Sequence, residues 1–409
     1  MRTVLSGICL LITSIVFAQR ECASSAYIEQ QKSADPSFAN KITDIENFVR
    51  RQKVSSKELG QVAPSIITIP VVIHVLYKTA AQNISDEQIR SQIMALNNDF
   101  RRKNADTINT PTRFKPFAAD VQIEFQLATA DPKGKATNGI VRKSTNVTRW
   151  GSDDKIKFSS QGGDDAWDSH SYLNIWVGDL TSLLGYSSAP GAASEKDGVV
   201  INYIAFGTVG VSPPYELGRT ATHEVGHWLG LKHIWGDSYC GDDFVDDTPK
   251  QGNFTTGCPS TFISSCNNGE MGDMYMNYMD FTNDACMNLF TTGQKQRMLS
   301  LFKDGGPRNS LLFSSALNQP WVTDSPAETP AQFRFYPNPT RGDMILDFNY
   351  NESWIGKTIS IVNINGMIVS KLLISSRTQT LNLSQLKPGM YFIQGENGNQ
   401  KLREKLIRL

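Results

Sequence analysis

Histidine is scarce in this chain, with five among 409 residues, and cysteine is nearly as scarce, with six. Net charge is missing too: 40 Lys and Arg balance 40 Asp and Glu. A balanced chain has no overall basic excess with which to neutralise phosphates, so nucleic acid is not expected as a partner. Beyond the amino terminus no segment reaches the roughly 18 uninterrupted apolar residues that a bilayer span requires, so no transmembrane segment is expected. Residues 333–409 hold neither histidine nor cysteine, which leaves that end without an obvious metal or thiol chemistry. The length allows two or three domains and a substantial core.

What histidine there is lies together. His223, His227 and His233 fall within the stretch T-A-T-H-E-V-G-H-W-L-G-L-K-H-I-W-G-D, Thr220 to Asp237, with Glu224 beside the first. Residues four apart share one helix face, so His223 and His227 can offer two imidazoles to one ion while Glu224 points at the adjoining space. Gly230 suits a left-handed helix stop that would return His233 as third ligand. Three neutral imidazoles leave one position of a tetrahedral zinc open, the catalytic arrangement. Zinc lowers the pKa of a bound water from about 15.7 to roughly 7, and Glu224 can take its proton and pass it to a leaving amine. The chemistry this implies is hydrolysis, most naturally of peptide bonds.

H-E-V-G-H-W-L-G-L-K-H resembles the long zinc signature of metzincin peptidases, and its flanks Gly218 to Thr222 and Ile234 to Asp237 resemble the pappalysin branch, over residues 65–305 or so. For the fold the resemblance implies an α+β metzincin catalytic domain: a twisted mixed five-stranded sheet with a backing helix and a zinc-site helix. The residues are consistent with that order. I-I-T-I-P-V-V-I-H-V-L-Y from Ile66 reads as a buried strand, in which His74 is a core histidine. Ser85 and Gln88 suggest a capping box, followed by an amphipathic helix to about Arg102. Val121 to Ala128 and Tyr172 to Val177 read as further strands. By resemblance, Leu184 to Pro190 is the exposed sheet edge to which an extended peptide adds as one more strand.

The amino-terminal region reads as processed. Residues 1–18, with Arg2, an apolar run from Val4 to Phe17 and Ala18 at a cleavage-like position, form a secretory signal peptide. Residues 19–60 form a polar pro-segment with one modest helical pattern around Phe38 to Val49, and Arg50-Arg51-Gln52-Lys53 would suit activating cleavage or be a solvated charge run. Arg20-Glu21-Cys22 resembles the pappalysin cysteine switch, which implies that the Cys22 thiolate takes the open zinc position and keeps the zymogen latent; a passive thiol is the other reading. Residues 61–313 are then the catalytic domain.

After the zinc motif the chain is loop-rich. Cys240, Cys258, Cys266 and Cys286 argue for two disulfides rather than a second zinc site, with three connectivities possible. The resemblance implies Cys240 with Cys266 and Cys258 with Cys286. The acidic loop Gly241 to Pro249 suits calcium, and by resemblance Asp243 and Thr248 are candidate ligands, although an acidic turn without metal would read the same way. Met279 in Asn277-Tyr278-Met279-Asp280-Phe281 corresponds to the Met-turn beneath the histidines. Many relatives carry a tyrosine where Phe281 stands, so either another group such as Tyr278 replaces that hydroxyl or the enzyme is slower. In related enzymes an acidic residue near the counterpart of Cys286 selects arginine or lysine beside the cut; by this resemblance Asp284 is the candidate, although Ala285 stands directly before Cys286.

Thr292 to Phe302 reads as a closing helix and 314–332 as a proline-containing linker. Residues 333–409 alternate in short runs (Ile359 to Ile364, Met367 to Leu373, Leu381 to Leu383, Met390 to Gln394) with an Asn365-Gly366 hairpin signal, the pattern of a small β-sandwich. Phe335 to Gly342, Lys387 to Phe392 and Lys405 to Leu409 resemble the sorting domain of bacterial type IX secretion, with a carbohydrate-binding sandwich as the alternative. The expected protein is a secreted, monomeric zinc endopeptidase made as a latent precursor, acting on proteins or peptides and engaging type IX secretion machinery. The competing readings are a catalytically silent secreted protein that keeps zinc for stability and a zinc amidase for small substrates.

Overall fold

The computed structural model describes residues 22–52, 66–319, 334–348, 352–376, 378–398 and 400–409. The segment expected as a signal peptide, Arg20, residues 53–60 of the expected pro-segment and most of the expected linker lie outside them. The chain divides into two compact units, residues 1–322 and 323–409.

In the first unit, strands β1 (Ile67–Tyr77), β2 (Ile123–Leu127), β3 (Ile140–Ser144), β4 (Leu173–Gly178), β5 (Gly185–Ser187) and β6 (Val199–Asn202) form one sheet. Its order is β2-β1-β4-β6-β5, with β3 also beside β1. All neighbours run parallel except β5, which is antiparallel to β6 and closes one edge. The five-stranded path is the expected mixed sheet, and β3 is an addition that the sequence did not suggest. Its residues I-V-R-K-S show no buried alternation. It forms because β2 pairs only with Ile67 to Val71, leaving the backbone groups of Ile73 to Tyr77 to be satisfied by another strand.

Alternation along the strands separates two apolar layers. Val71, Ile73, Val75, Ile175, Val177, Val199 and Ile201 face α3 (Asp86–Phe100) and α4 (Arg219–Trp228), meeting Ile89, Ile93, Leu96, Val225 and Trp228. Leu76, Trp176, Val200 and Tyr186 face the other way, against Trp150, Ile156 and Leu180. His74 is a core histidine, as expected: Nδ1 lies 2.7 Å from Asp164 and Nε2 3.1 Å from Asn174, and the ring stacks on Trp176. The capping box expected at α3 is half formed. Ser85 accepts from the Gln88 N–H, but the Gln88 side chain turns away to donate to the carbonyls of Tyr203 and Phe206.

The stretch expected as a pro-segment is more helical than its pattern suggests. It forms α1 (Ser24–Ala34) and α2 (Pro36–Arg51), joined at Asp35, whose side chain caps α2 by accepting from the Ser37 N–H. In α1 only Ser24 and Tyr27 are buried, too few for an amphipathic signal, and a helix this short takes its stability from tertiary contacts. Further on, Cys240 pairs with Cys266 and Cys258 with Cys286, at Cα separations of 5.6 and 5.7 Å. Each loop closure contributes about 3 kcal/mol in the chain-entropy account, substantial for a region with little regular structure. The closing helix α5 (Thr292–Ser300) begins in a full Thr291–Gln294 capping box.

The second unit contains β7 (Arg334–Tyr336), β8 (Met344–Asp347), β9 (Thr358–Asn363), β10 (Ile368–Leu373), β11 (Thr378–Leu381), β12 (Gly389–Asn397) and β13 (Gln400–Arg408). Three strands in the order β11-β8-β7 and four in the order β10-β9-β12-β13 share a core around Leu346, Trp354, Ile361, Ile393 and Leu406. The Asn365-Gly366 signal sits in the β9–β10 turn, where Gly366 has φ +78°.

Candidate catalytic metal centre

The zinc-motif helix α4 is held at both ends before any ligand is considered. At its start Arg219 Nε lies 3.0 Å from Asp99 and its Nη1 3.1 Å from Asp106, while Thr222 donates to Asp99 at 2.7 Å. At its end Arg308 donates to the Trp228 carbonyl and pairs with Asp197, which also accepts from the Trp228 indole at 2.8 Å. Gly230 has φ +80°, which ends the helix and returns the chain toward the same face.

His223, His227 and His233 are buried, and the Nε2 atom of His227 lies 3.1 Å from that of His223 and 3.1 Å from that of His233. Each Nδ1 faces an acceptor that cannot donate: the Tyr278 carbonyl at 2.7 Å, the Leu231 carbonyl at 2.9 Å and the Asp237 carboxylate at 2.5 Å. The ring protons therefore sit on Nδ1, and three bare Nε2 lone pairs converge. Such a convergence of lone pairs is the arrangement that a bound cation stabilises. Zinc–nitrogen bonds of about 2.0–2.1 Å at tetrahedral angles set ligand nitrogens roughly 3.3 Å apart, close to the observed spacing. Burial and the neighbouring His227 push His233 down to about 4, keeping it neutral as a ligand must be. Burial alone would raise Asp237, but its bond to His233 holds it at about 2. Asp237 thus orients the third histidine, a role that the spacing alone did not suggest.

The ligand atom of Cys22 completes the group, and all four atoms lie within 4.8 Å of one another. Cys22 reaches them by bridging to Gly185 on the edge strand β5, with the Ala23 N–H donating to the Gly185 carbonyl at 3.1 Å. Burial and the Glu224 charge push the thiol up, so only a cation would favour the thiolate here. Glu224 is buried beside the cluster, and Gly185 leaves it room: a Cβ there would stand 2.9 Å from the Glu224 Cγ. Ser24, which the sequence did not single out, donates to Glu224 Oε2 at 2.7 Å and accepts from the Ser187 N–H at 2.8 Å. Cys22 and Ser24 therefore engage both the histidine cluster and the carboxylate.

Met279 lies under the helix, fully buried. A Cβ on Gly226 would come within 2.5 Å of its sulfur, so the glycine is what lets the Met-turn approach. Gly226→Ala is expected to cost about 1–3 kcal/mol through overpacking. A lower thermal unfolding midpoint together with reduced proteolysis would show it. Phe281 stacks edge-on against His233 at 4.9 Å and Trp235 at 4.9 Å, forming an aromatic wall with no hydroxyl. Tyr278 does not replace one: its hydroxyl donates to Asp99 at 3.1 Å in the buried network behind the helix.

Asp284 is buried, and its Oδ2 accepts from the N–H groups of Leu217 at 2.9 Å and Arg219 at 3.1 Å, so the carboxylate anchors the loop leading into α4. In the acidic loop, the Thr248 hydroxyl lies 2.8 and 3.0 Å from the two Asp243 oxygens and 2.8 Å from the Val245 carbonyl. It has one proton for three acceptors.

Residues 157–303 match the family model described as pregnancy-associated plasma protein-A. An extracellular metalloprotease of Arthroderma otae is 34% identical over 296 residues, covering 70% of this chain and 91% of the relative. This chain belongs to the pappalysin family. A mutant of Tannerella forsythia promirolysin is 48% identical with a TM-score of 0.67, covering 74% of this chain and all of that one. Mature mirolysin with a cleaved peptide is 51% identical with a TM-score of 0.61, covering 63% of this chain and all of that one. As a pappalysin, the protein is a secreted zinc metallopeptidase of the metzincin clan. Residues 334–408 match a secretion-system C-terminal sorting domain, which favours type IX sorting over a carbohydrate-binding sandwich. Among the described residues no helix is long and apolar enough to cross a membrane.

Proposed function

We propose that the protein is an endopeptidase in which His223, His227 and His233 hold zinc, Glu224 is the general base and then acid, Met279 supports the histidines, and Cys22 keeps the precursor latent. The convergence of three Nε2 lone pairs beside a buried carboxylate carries this reading. Zinc bound there would supply a Lewis acid and a water acidified to about pKa 7. Glu224, seated against Gly185 of the edge strand, accepts the proton and returns it to the departing amine. The edge strand β5 presents its free side to an extended substrate, in the place where the pro-segment now pairs.

Latency has more than one contact behind it. Cys22 occupies the ligand cluster, Ser24 binds Glu224, and Glu46 of α2 accepts a bidentate fork from Arg297 of α5. Cys22→Ala is expected to accelerate self-activation, followed as the rate of pro-segment loss on a gel; an unchanged rate would mean that the thiol is passive. Cleavage in the basic run at Arg50 to Lys53 would release both helices.

Export begins with the signal peptide at residues 1–18 and passes through the periplasm. Calcium bound by Asp243 and Thr248 is supported by the crowding of acceptor oxygens around one hydroxyl, and burial pushes Asp243 up to about 7, a cost that a cation removes. A preference for arginine or lysine beside the cut would rest on the negative charge of Asp284. Mass spectrometry of an unfolded protein digested by the processed enzyme, with and without a zinc chelator, tests class, metal and preference together. Internal cuts that vanish with the chelator are expected. Digestion of small amides alone would point instead to an amidase, and no digestion at all to a silent binding protein.

A further inference from the structure

Tyr27 of the pro-segment is 3% exposed, seated on the face of the sheet opposite the zinc helix. Its ring packs on Tyr186 with centroids 5.1 Å apart, the Lys157 ammonium lies 5.1 Å from its centroid, and its hydroxyl donates to Asp154 Oδ2 at 2.8 Å. The cradle is built independently of Tyr27. Lys157 is fully buried, 2.9 Å from Asp154 Oδ1, donates to the Lys196 carbonyl at 2.8 Å, and sits against the rings of Trp176 and Tyr186. The Tyr186 hydroxyl is also buried there beside Asp154, and burial together with that carboxylate pushes its phenol up. Burial and the Asp154 charge raise Tyr27 far above the ordinary phenol range, so it is a donor throughout.

Tyr186 is the central residue of β5, the strand at which pro-segment and substrate compete. When the pro-segment leaves, Asp154 Oδ2 loses the phenol that donated to it, while Oδ1 keeps Lys157, in a slot beside the substrate strand. A peptide added to β5 turns alternate side chains to the face that Tyr186 occupies. Antiparallel addition, the more stable pairing, runs opposite to the pro-segment and puts residues upstream of the cut beside Ser187.

We infer that the slot vacated by Tyr27 is a substrate subsite for a tyrosine upstream of the scissile bond, with Asp154 accepting its hydroxyl, Tyr186 packing against its ring at a tilt and Lys157 facing that ring. The inference rests on the endopeptidase reading above and adds a side-chain preference to it. A subsite of this kind discriminates tyrosine from phenylalanine, because Asp154 Oδ2 loses its hydroxyl donor when the ring carries none, even though Lys157 stays on Oδ1.

The test uses the processed enzyme and one peptide scaffold carrying tyrosine, phenylalanine or alanine at each of four positions upstream of the cut. At one position kcat/KM is expected to be roughly tenfold higher for tyrosine than for phenylalanine, the scale of a hydrogen bond to a charged group. Asp154→Asn should shrink that ratio severalfold, the ratio rather than the absolute rate being the readout. A second measurement avoids the variant: a synthetic peptide of residues 23–34 should inhibit the processed enzyme, and its Tyr27→Phe form should do so about tenfold less well. Cleavage of the scaffolds with no tyrosine advantage at any position, an advantage that survives Asp154→Asn, or equal inhibition by the two peptides would overturn the subsite. Failure to cut any scaffold would instead overturn the endopeptidase reading.

Discussion

Replacing Glu224 with alanine is expected to lower kcat for peptide hydrolysis by about 10²–10⁴-fold, the span of a positioned general acid–base. The side chain is buried between the histidine cluster and the sheet edge, where Gly185 leaves the space it fills. The imidazole Nδ1 atoms are held by Tyr278, Leu231 and Asp237, so zinc content should remain at one per chain. That combination separates a lost proton carrier from a collapsed site. Wild-type turnover in Glu224→Ala would exclude its catalytic role, and loss of zinc along with activity would make it a structural support. The precursor should respond as well, since the Ser24 hydroxyl loses its acceptor on Glu224.

Metal removal is expected to have the larger effect on the whole protein. Chelation should abolish proteolysis, and added zinc should restore it. His227→Ala should do the same irreversibly, because the middle histidine of the cluster faces both others at 3.1 Å. Zinc analysis and an activity assay on the same sample check the link between occupancy and rate. Stability should fall too, since the three lone pairs then repel one another in a buried space, and a lower unfolding midpoint in chelator is the sign of it. Proteolysis undiminished in metal-free protein would remove the basis of the assignment.

Much of this was legible along the chain because helical spacing is local. His223 and His227 are one turn apart, Gly230 stops the helix, and Asn365-Gly366 marks a hairpin, each by rules that need only neighbouring residues. Strand β3 was not legible, since its pairing answers the unfilled backbone groups of Ile73 to Tyr77 rather than any pattern of its own. Nor was α1, which has only two buried residues and is held through Ser24 and Tyr27. Gln88 misled for the same reason: its side chain found better acceptors at Tyr203 and Phe206, distant in the chain.

The sequence by itself determined the histidine set, the adjoining carboxylate, the four-cysteine loop region and the β-rich carboxyl end, because spacing and composition state those directly. Which acceptor each imidazole faces, that Ser24 meets Glu224, that Tyr278 spends its hydroxyl on Asp99, and that Tyr27 lies in a slot behind the edge strand were decided only by the tertiary structure. Those contacts join residues up to 200 positions apart, as Ser24 and Glu224 are, and no local pattern encodes where two such side chains meet.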